Sequence, residues 1–86
     1  MAISKEEQLE WFLPFVSAIE SPDPAIVSNA KFRAILIIRF IDGADQYGDR
    51  LFRKSRKDLQ RDRVEELADA KIYQFVDLFG DAFKDE

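Results

Sequence analysis

The stretch from Ala30 to Tyr47, AKFRAILIIRFIDGADQY, is the only part of the chain apolar enough to lie at the centre of a fold. Ala34 to Ile38 runs directly into Arg39-Phe40-Ile41, and such a run is compatible by periodicity alone with a buried strand or a buried helix. Length and flanks decide for helix. The segment carries Lys31, Arg33, Arg39 and Asp42 along its length and is followed by Gly48, which suits a helix of about five turns closed by a C′ glycine. At about 100° per residue Ala34, Ile37, Ile38 and Ile41 form one stripe, leaving Phe32, Ile35, Leu36 and Phe40 outside it. A helix that is apolar nearly all round is expected to be covered on more than one side. Two partner helices in 86 residues are too few to do so, and a homodimer or higher assembly is expected to complete the bundle.

A chain of 86 residues is predicted to make one domain, burying only about 60 to 65% of its unfolded surface. No segment reaches the roughly 18 uninterrupted apolar residues a membrane span needs, so no membrane is expected. The N-terminus MAISKEEQLE is polar and acidic without a secretory pattern, and cytoplasmic residence is the expectation. The chain holds neither cysteine nor histidine. That excludes thiol nucleophiles, imidazole bases and Cys/His zinc sites. A metal here would be a hard cation held by oxygen, with Mg²⁺ the first choice.

Helix starts are marked by hydroxyls. Ser4 with Glu7 three residues on has the capping-box spacing, and Leu9, Phe12, Leu13, Val16 and Ile19 follow at helical intervals. A first helix over about Lys5–Ile19 is predicted. Pro14 falls inside it and is expected to kink or divide it, because the ring removes an N–H and crowds the carbonyl of Glu10. Asp23-Pro24 resembles an N-cap followed by a first helical residue, while Val27-Ser28-Asn29 has weak helix propensity; a short helix there could stand alone or join the central one. Asp49 to Lys54 shows no sustained period and is read as a loop. Ser55, with Asp58 as its third helical residue, opens an amphipathic helix over Arg56–Phe79 whose apolar face is Val64, Leu67, Ala68, Ile72, Phe75 and Phe79. Gly80 is the predicted stop. The fold class is all-α, with three main helices, the first kinked at Pro14, in a bundle completed by oligomerisation.

The net charge of −4 conceals a segregation. Arg50 to Arg63 holds seven bases against Asp58 and Asp62, a net +5, and Val64 to Glu86 holds seven acids against Lys71 and Lys84, a net −5. A salt-bridged, solvated surface explains such a pattern; so does a phosphate-binding edge beside an acidic site. Nucleic-acid binding is disfavoured, since the pI of about 4.8 is far below the value above ~9 expected of such domains.

Opposite the apolar stripe of the last helix, Asp62, Glu66, Asp69 and Tyr73 follow at intervals of four, three and four. They share one line along the helix. Carboxylates so placed are tolerated in open water or around a cation.

The string Glu65-Glu66-Leu67-Ala68-Asp69-Ala70-Lys71-Ile72-Tyr73 resembles the EELAD…Y segment of the MazG-like, all-α nucleoside triphosphate pyrophosphatases. It is also similar to small phage proteins in which a tyrosine-glycine step precedes such a helix, as Tyr47-Gly48 does here. The resemblance spans about Phe40 to Phe79 and implies oligomeric helices that bind Mg²⁺ against a nucleotide triphosphate. Glu66 and Asp69 match the family's ExxD half-motif as the metal-binding, catalytic pair. The preceding helix departs from the family's EExxE half-motif, offering only Asp42 and Asp45 as further metal ligands. Asp45 continues the Ala34–Ile38–Ile41 stripe, so its carboxylate either points inward or turns outward as the helix frays.

On this resemblance Arg50, Arg53 and Lys54 would clamp the phosphates, with Tyr73 beside them as a nucleotide-binding residue. Mg²⁺ would activate water for attack on the α-phosphorus. The shortage of carboxylates leaves catalysis open. The alternative is a non-catalytic interaction module, such as a phage protein that binds a host protein through one of its charged faces.

Overall fold

A computed structural model of the chain describes residues 2–84, with side chains described for residues 2–80. Among them the chain is all-α: α1 (Lys5–Ser17), α2 (Asn29–Tyr47), the single turn α3 (Arg50–Arg53) and α4 (Arg56–Lys84), with no strand. The chain divides into two compact units, one ending at Arg53 and the other beginning at Lys54.

Each long helix starts at a serine. The hydroxyls of Ser4, Ser28 and Ser55 accept the backbone N–H of Glu7 at 3.1 Å, Lys31 at 3.2 Å and Asp58 at 3.1 Å. Each thereby satisfies a donor that has no partner within the helix. Residues 23 to 27 do not form the short helix that Asp23-Pro24 could have begun. They make a turn in which the Asp23 carbonyl accepts the N–H groups of Ile26 and Val27, both at 3.0 Å. Ser28 caps α2 immediately afterwards.

In the first unit α1 and α2 pack as an antiparallel hairpin. Near the start of α1 the Ile3 N–H donates to the Asp49 carboxylate at 2.8 Å and Lys5 pairs with Asp45 at 2.9 Å. At mid-length the rings of Phe12 and Phe40 stack at 4.1 Å, only 8° from parallel. At the other end Arg33 Nε donates to the Ile19 carbonyl at 2.6 Å, and the Ser21 N–H donates to Asn29 Oδ1 at 2.7 Å. Trp11 meets Phe52 edge-on at 5.9 Å, which seats α3 against α1. Val16 is the one buried apolar side chain among the described residues, and Gln8 is buried with its amide donating to the Ile3 carbonyl at 3.0 Å.

Several sequence-based expectations are corrected. The side of α2 that faces α1 is Phe32, Leu36, Phe40 and Ala44 with Ile37 and Ile41, all half-buried, whereas Ala34, Ile35 and Ile38 are exposed. The stripe is rotated because on an all-round apolar helix periodicity has no single solution, and the stacked phenyl rings select the side. No residue of α2 is fully buried. Asp49 to Lys54 is not all loop: Asp49 accepts the Phe52 N–H through its carbonyl at 3.0 Å and the Arg53 guanidinium through its carboxylate at 2.7 Å, holding the turn α3. Gly80 does not stop α4, which runs on to Lys84; a glycine in a helix costs only about 1 kcal/mol and ends one only where it takes a left-handed cap. Gly48 does adopt positive φ, at 64°, and its N–H closes α2 on the Ala44 carbonyl at 2.9 Å.

Pro14 neither ends nor divides α1, which is helical on both sides of it and stops at Ser17. Trp11 and Phe15, on either side of it, are largely exposed. Pro14 is exposed as well, so replacing it restores an N–H for the Glu10 carbonyl without opening a cavity. Pro14→Ala is expected to raise the unfolding free energy by about 1–3 kcal/mol, measured by urea denaturation; a loss of stability would show that the hairpin depends on the proline.

The Asp49 carboxylate has 15% of its side chain exposed. The Arg53 guanidinium first, and then the Ile3 N–H, hold its pKa at about 2, below the ordinary 3.8. A depressed carboxylate pKa contributes stability that is complete above the unfolded value and disappears as pH falls through the folded one. Unfolding midpoints followed at Trp11 should therefore fall between pH 3.8 and about 2, with a shallower fall in that window for Asp49→Asn.

Candidate functional site

The second unit is essentially one helix. α4 has 29 residues, about 43 Å at 1.5 Å per residue. Ser55 caps its start, and Lys54 pairs with Asp62 across its first turns at 2.7 Å. That contact holds the Asp62 carboxyl below the ordinary carboxylate range. Arg61 bridges Asp58 at 3.5 Å and Asp62 at 3.8 Å. Such exposed pairs contribute about 0–1 kcal/mol each.

Beyond this polar beginning the helix has two contrasting faces. On one, Glu66, Asp69 and Tyr73 share a line, all exposed, and neither carboxylate has an ion pair among the described residues. On the other lie Val64, Leu67, Ala68, Ile72, Phe75 and Phe79. An apolar face of this kind is expected to turn to a core, yet it is exposed: Leu67 keeps 65% of its surface, Phe75 59% and Phe79 49%. Phe75 and Phe79 tilt against each other at 4.7 Å. An apolar stripe this long left open to solvent is a candidate interaction surface.

Asp45 does not point into an interior; it is exposed and pairs with Lys5, whose ammonium pKa the contact raises. Asp42 is exposed on α2. Arg53 is held by Asp49, which raises its already high pKa, and Lys54 is held by Asp62. Arg50 is exposed on α3. The structure thus brings Glu66, Asp69 and Tyr73 together on one helix face, while Asp45, Arg53 and Lys54 serve ion pairs within their own units. Among the described residues no three Asp or Glu side chains converge closely enough to hold a metal ion. No helix among them is long and apolar enough to cross a membrane.

Compared with protein-family models, with curated proteins and with solved structures, the chain matches none.

Proposed function

We propose that the protein is a non-catalytic interaction module that presents the apolar stripe of α4 to a helix of another protein chain. The exposure of Leu67, Phe75 and Phe79 on the one apolar face of α4 carries this reading. Fully burying such a side chain is worth about 1.5–3 kcal/mol, so a stripe of five or six is a strong driving force for association. Recognition of this kind sets side chains at helical spacing into the groove of a partner helix.

The second reading is nucleotide binding with Mg²⁺ in the manner of the MazG-like enzymes. What favours it is the exposed Glu66 and Asp69, one turn apart and without an ion pair among the described residues, with Tyr73 on the same line. Two carboxylates are a sparse protein ligand set, and phosphate oxygens and water would have to complete the coordination.

Two experiments separate the readings. Leu67→Glu combined with Phe75→Glu in the full chain should leave the near-ultraviolet circular dichroism of Trp11 intact, because Trp11 belongs to the first unit, where it contacts Phe52. At concentrations low enough for the chain to be monomeric, its unfolding free energy should change by no more than the ~0.5 kcal/mol usual for surface substitutions; loss of the Trp11 signal would mean that the stripe is core and would sink the interaction reading. Under the nucleotide reading, Mg²⁺ with a nucleoside triphosphate should stabilise the wild type by roughly 2.7 kcal/mol at a hundredfold excess over Kd. Glu66→Gln with Asp69→Asn should abolish that gain. No thermal shift with any nucleoside triphosphate at millimolar Mg²⁺ would remove the second reading.

A further inference from the structure

We infer that the partner of the α4 stripe is a second copy of this chain, with the two α4 helices packed antiparallel. This rests on the interaction-module reading and names the occupant of the same face. Two observations select that occupant: the area of the stripe and the distribution of charge along the helix.

The stripe from Val64 to Phe79 is about 24 Å long. Phe75 and Phe79, at 59% and 49% exposure, each keep on the order of 100 Å² of the 150–250 Å² a phenylalanine can bury. With Val64, Leu67, Ile72 and Leu78, also exposed, two facing copies present on the order of 1,000 Å², the size at which stable interfaces begin. The face is self-complementary in kind, apolar against apolar, as a two-fold pair requires.

Charge sets the direction. Arg56 to Arg63 carries four bases against two acids, and the chain from Val64 to Glu86 carries seven acids against two bases. At 100° per residue Lys57 and Arg61 continue the line of the stripe toward the start of the helix. In a parallel pair these two bases would face their own copies and the acidic stretches would run side by side. Reversing one helix about the middle of the stripe, between Lys71 and Ile72, directs Lys57 and Arg61 toward the end of the other copy whose sequence holds Asp77, Asp81, Asp85 and Glu86 against Lys84. The attraction is between helix ends of opposite net charge and not between facing side chains, since at 100° per residue Asp77 and Asp81 lie well off the line of the stripe. Such charge matching fixes orientation more than it adds affinity, and a stripe free of charge except for Lys71 at its centre leaves orientation to the ends. The Lys71 stem can lie along the apolar surface with its ammonium in water, where it already donates to Gln74 Oε1 at 3.3 Å.

The test uses the unmodified chain and two single-cysteine variants, since the native sequence has no cysteine. Light scattering on a gel-filtration column at 100 µM should give about 20 kDa, twice the 10.0 kDa of the chain, and Leu67→Glu with Phe75→Glu should return it to the monomer mass. In the antiparallel register Val64 lies opposite Phe79 of the other copy, and the two Val64 positions are about 22 Å apart, well beyond disulfide reach. Oxidising Val64→Cys mixed with Phe79→Cys should therefore give the mixed disulfide several-fold above the linked dimer from Val64→Cys alone. Efficient self-linking of Val64→Cys would indicate a parallel pair and overturn the inference. So would a monomeric wild type at 100 µM, or a dimer that survives the double glutamate substitution. A monomeric wild type whose double glutamate variant keeps the Trp11 signal defeats only the choice of a second copy; loss of that signal defeats the interaction reading itself.

Discussion

The first unit depends on the parallel stack of Phe12 on Phe40. A helix of 13 residues with a proline inside it, such as α1, is below the length at which isolated helices hold in water, so α1 needs a partner surface to exist. The stack supplies one at its midpoint, 4.1 Å between ring centres. Polar contacts then pin both ends: Ile3 and Lys5 to Asp49 and Asp45 at one, Ile19 to Arg33 at the other. Because Val16 alone among the described apolar side chains is buried, the hairpin is organised by ring contact and end ties more than by a closed core.

What the sequence conveyed well were the starts of helices, and the reason is local. A serine hydroxyl needs only a backbone N–H three residues away, so Ser4 and Ser55 could be read as caps without knowing anything distant. The ends and faces were harder. Ile3 to Asp49 and Lys5 to Asp45 join residues 46 and 40 positions apart, and no periodicity reports a contact of that kind. Asp45 could therefore be read as turning outward at the end of the helix or as a metal ligand, and its pairing with Lys5 could not be read at all. The choice of the Phe32, Leu36 and Phe40 side of α2 over the Ala34 and Ile38 side was likewise decided by what α1 brought to it.

The candidate site was legible to a different degree. That Glu66, Asp69 and Tyr73 share a face follows from a 3.6-residue repeat, and the structure places all three on the exposed side of α4. That Arg53 and Lys54 would be occupied by Asp49 and Asp62 depends on the turn α3 and on the bend before Ser55, neither of which has a periodic signature. A guanidinium already bonded to a carboxylate must give up that partner before it can hold a phosphate. The phosphate clamp suggested by the basic run consequently starts with two of its three members committed elsewhere.

The same accounting explains why α4 draws the functional argument to itself. Helical stability in proteins comes mostly from packing an amphipathic face, and α4, the longest helix, keeps its apolar face open while its opposite face collects like charges. Glu66 and Asp69 in open water cost little, so the acidic face requires no ligand. The apolar face is different, because water against Leu67, Phe75 and Phe79 carries a free-energy cost that only contact with another apolar surface removes. Between a face content in solvent and a face that is not, the second is the one whose chemistry calls for a partner.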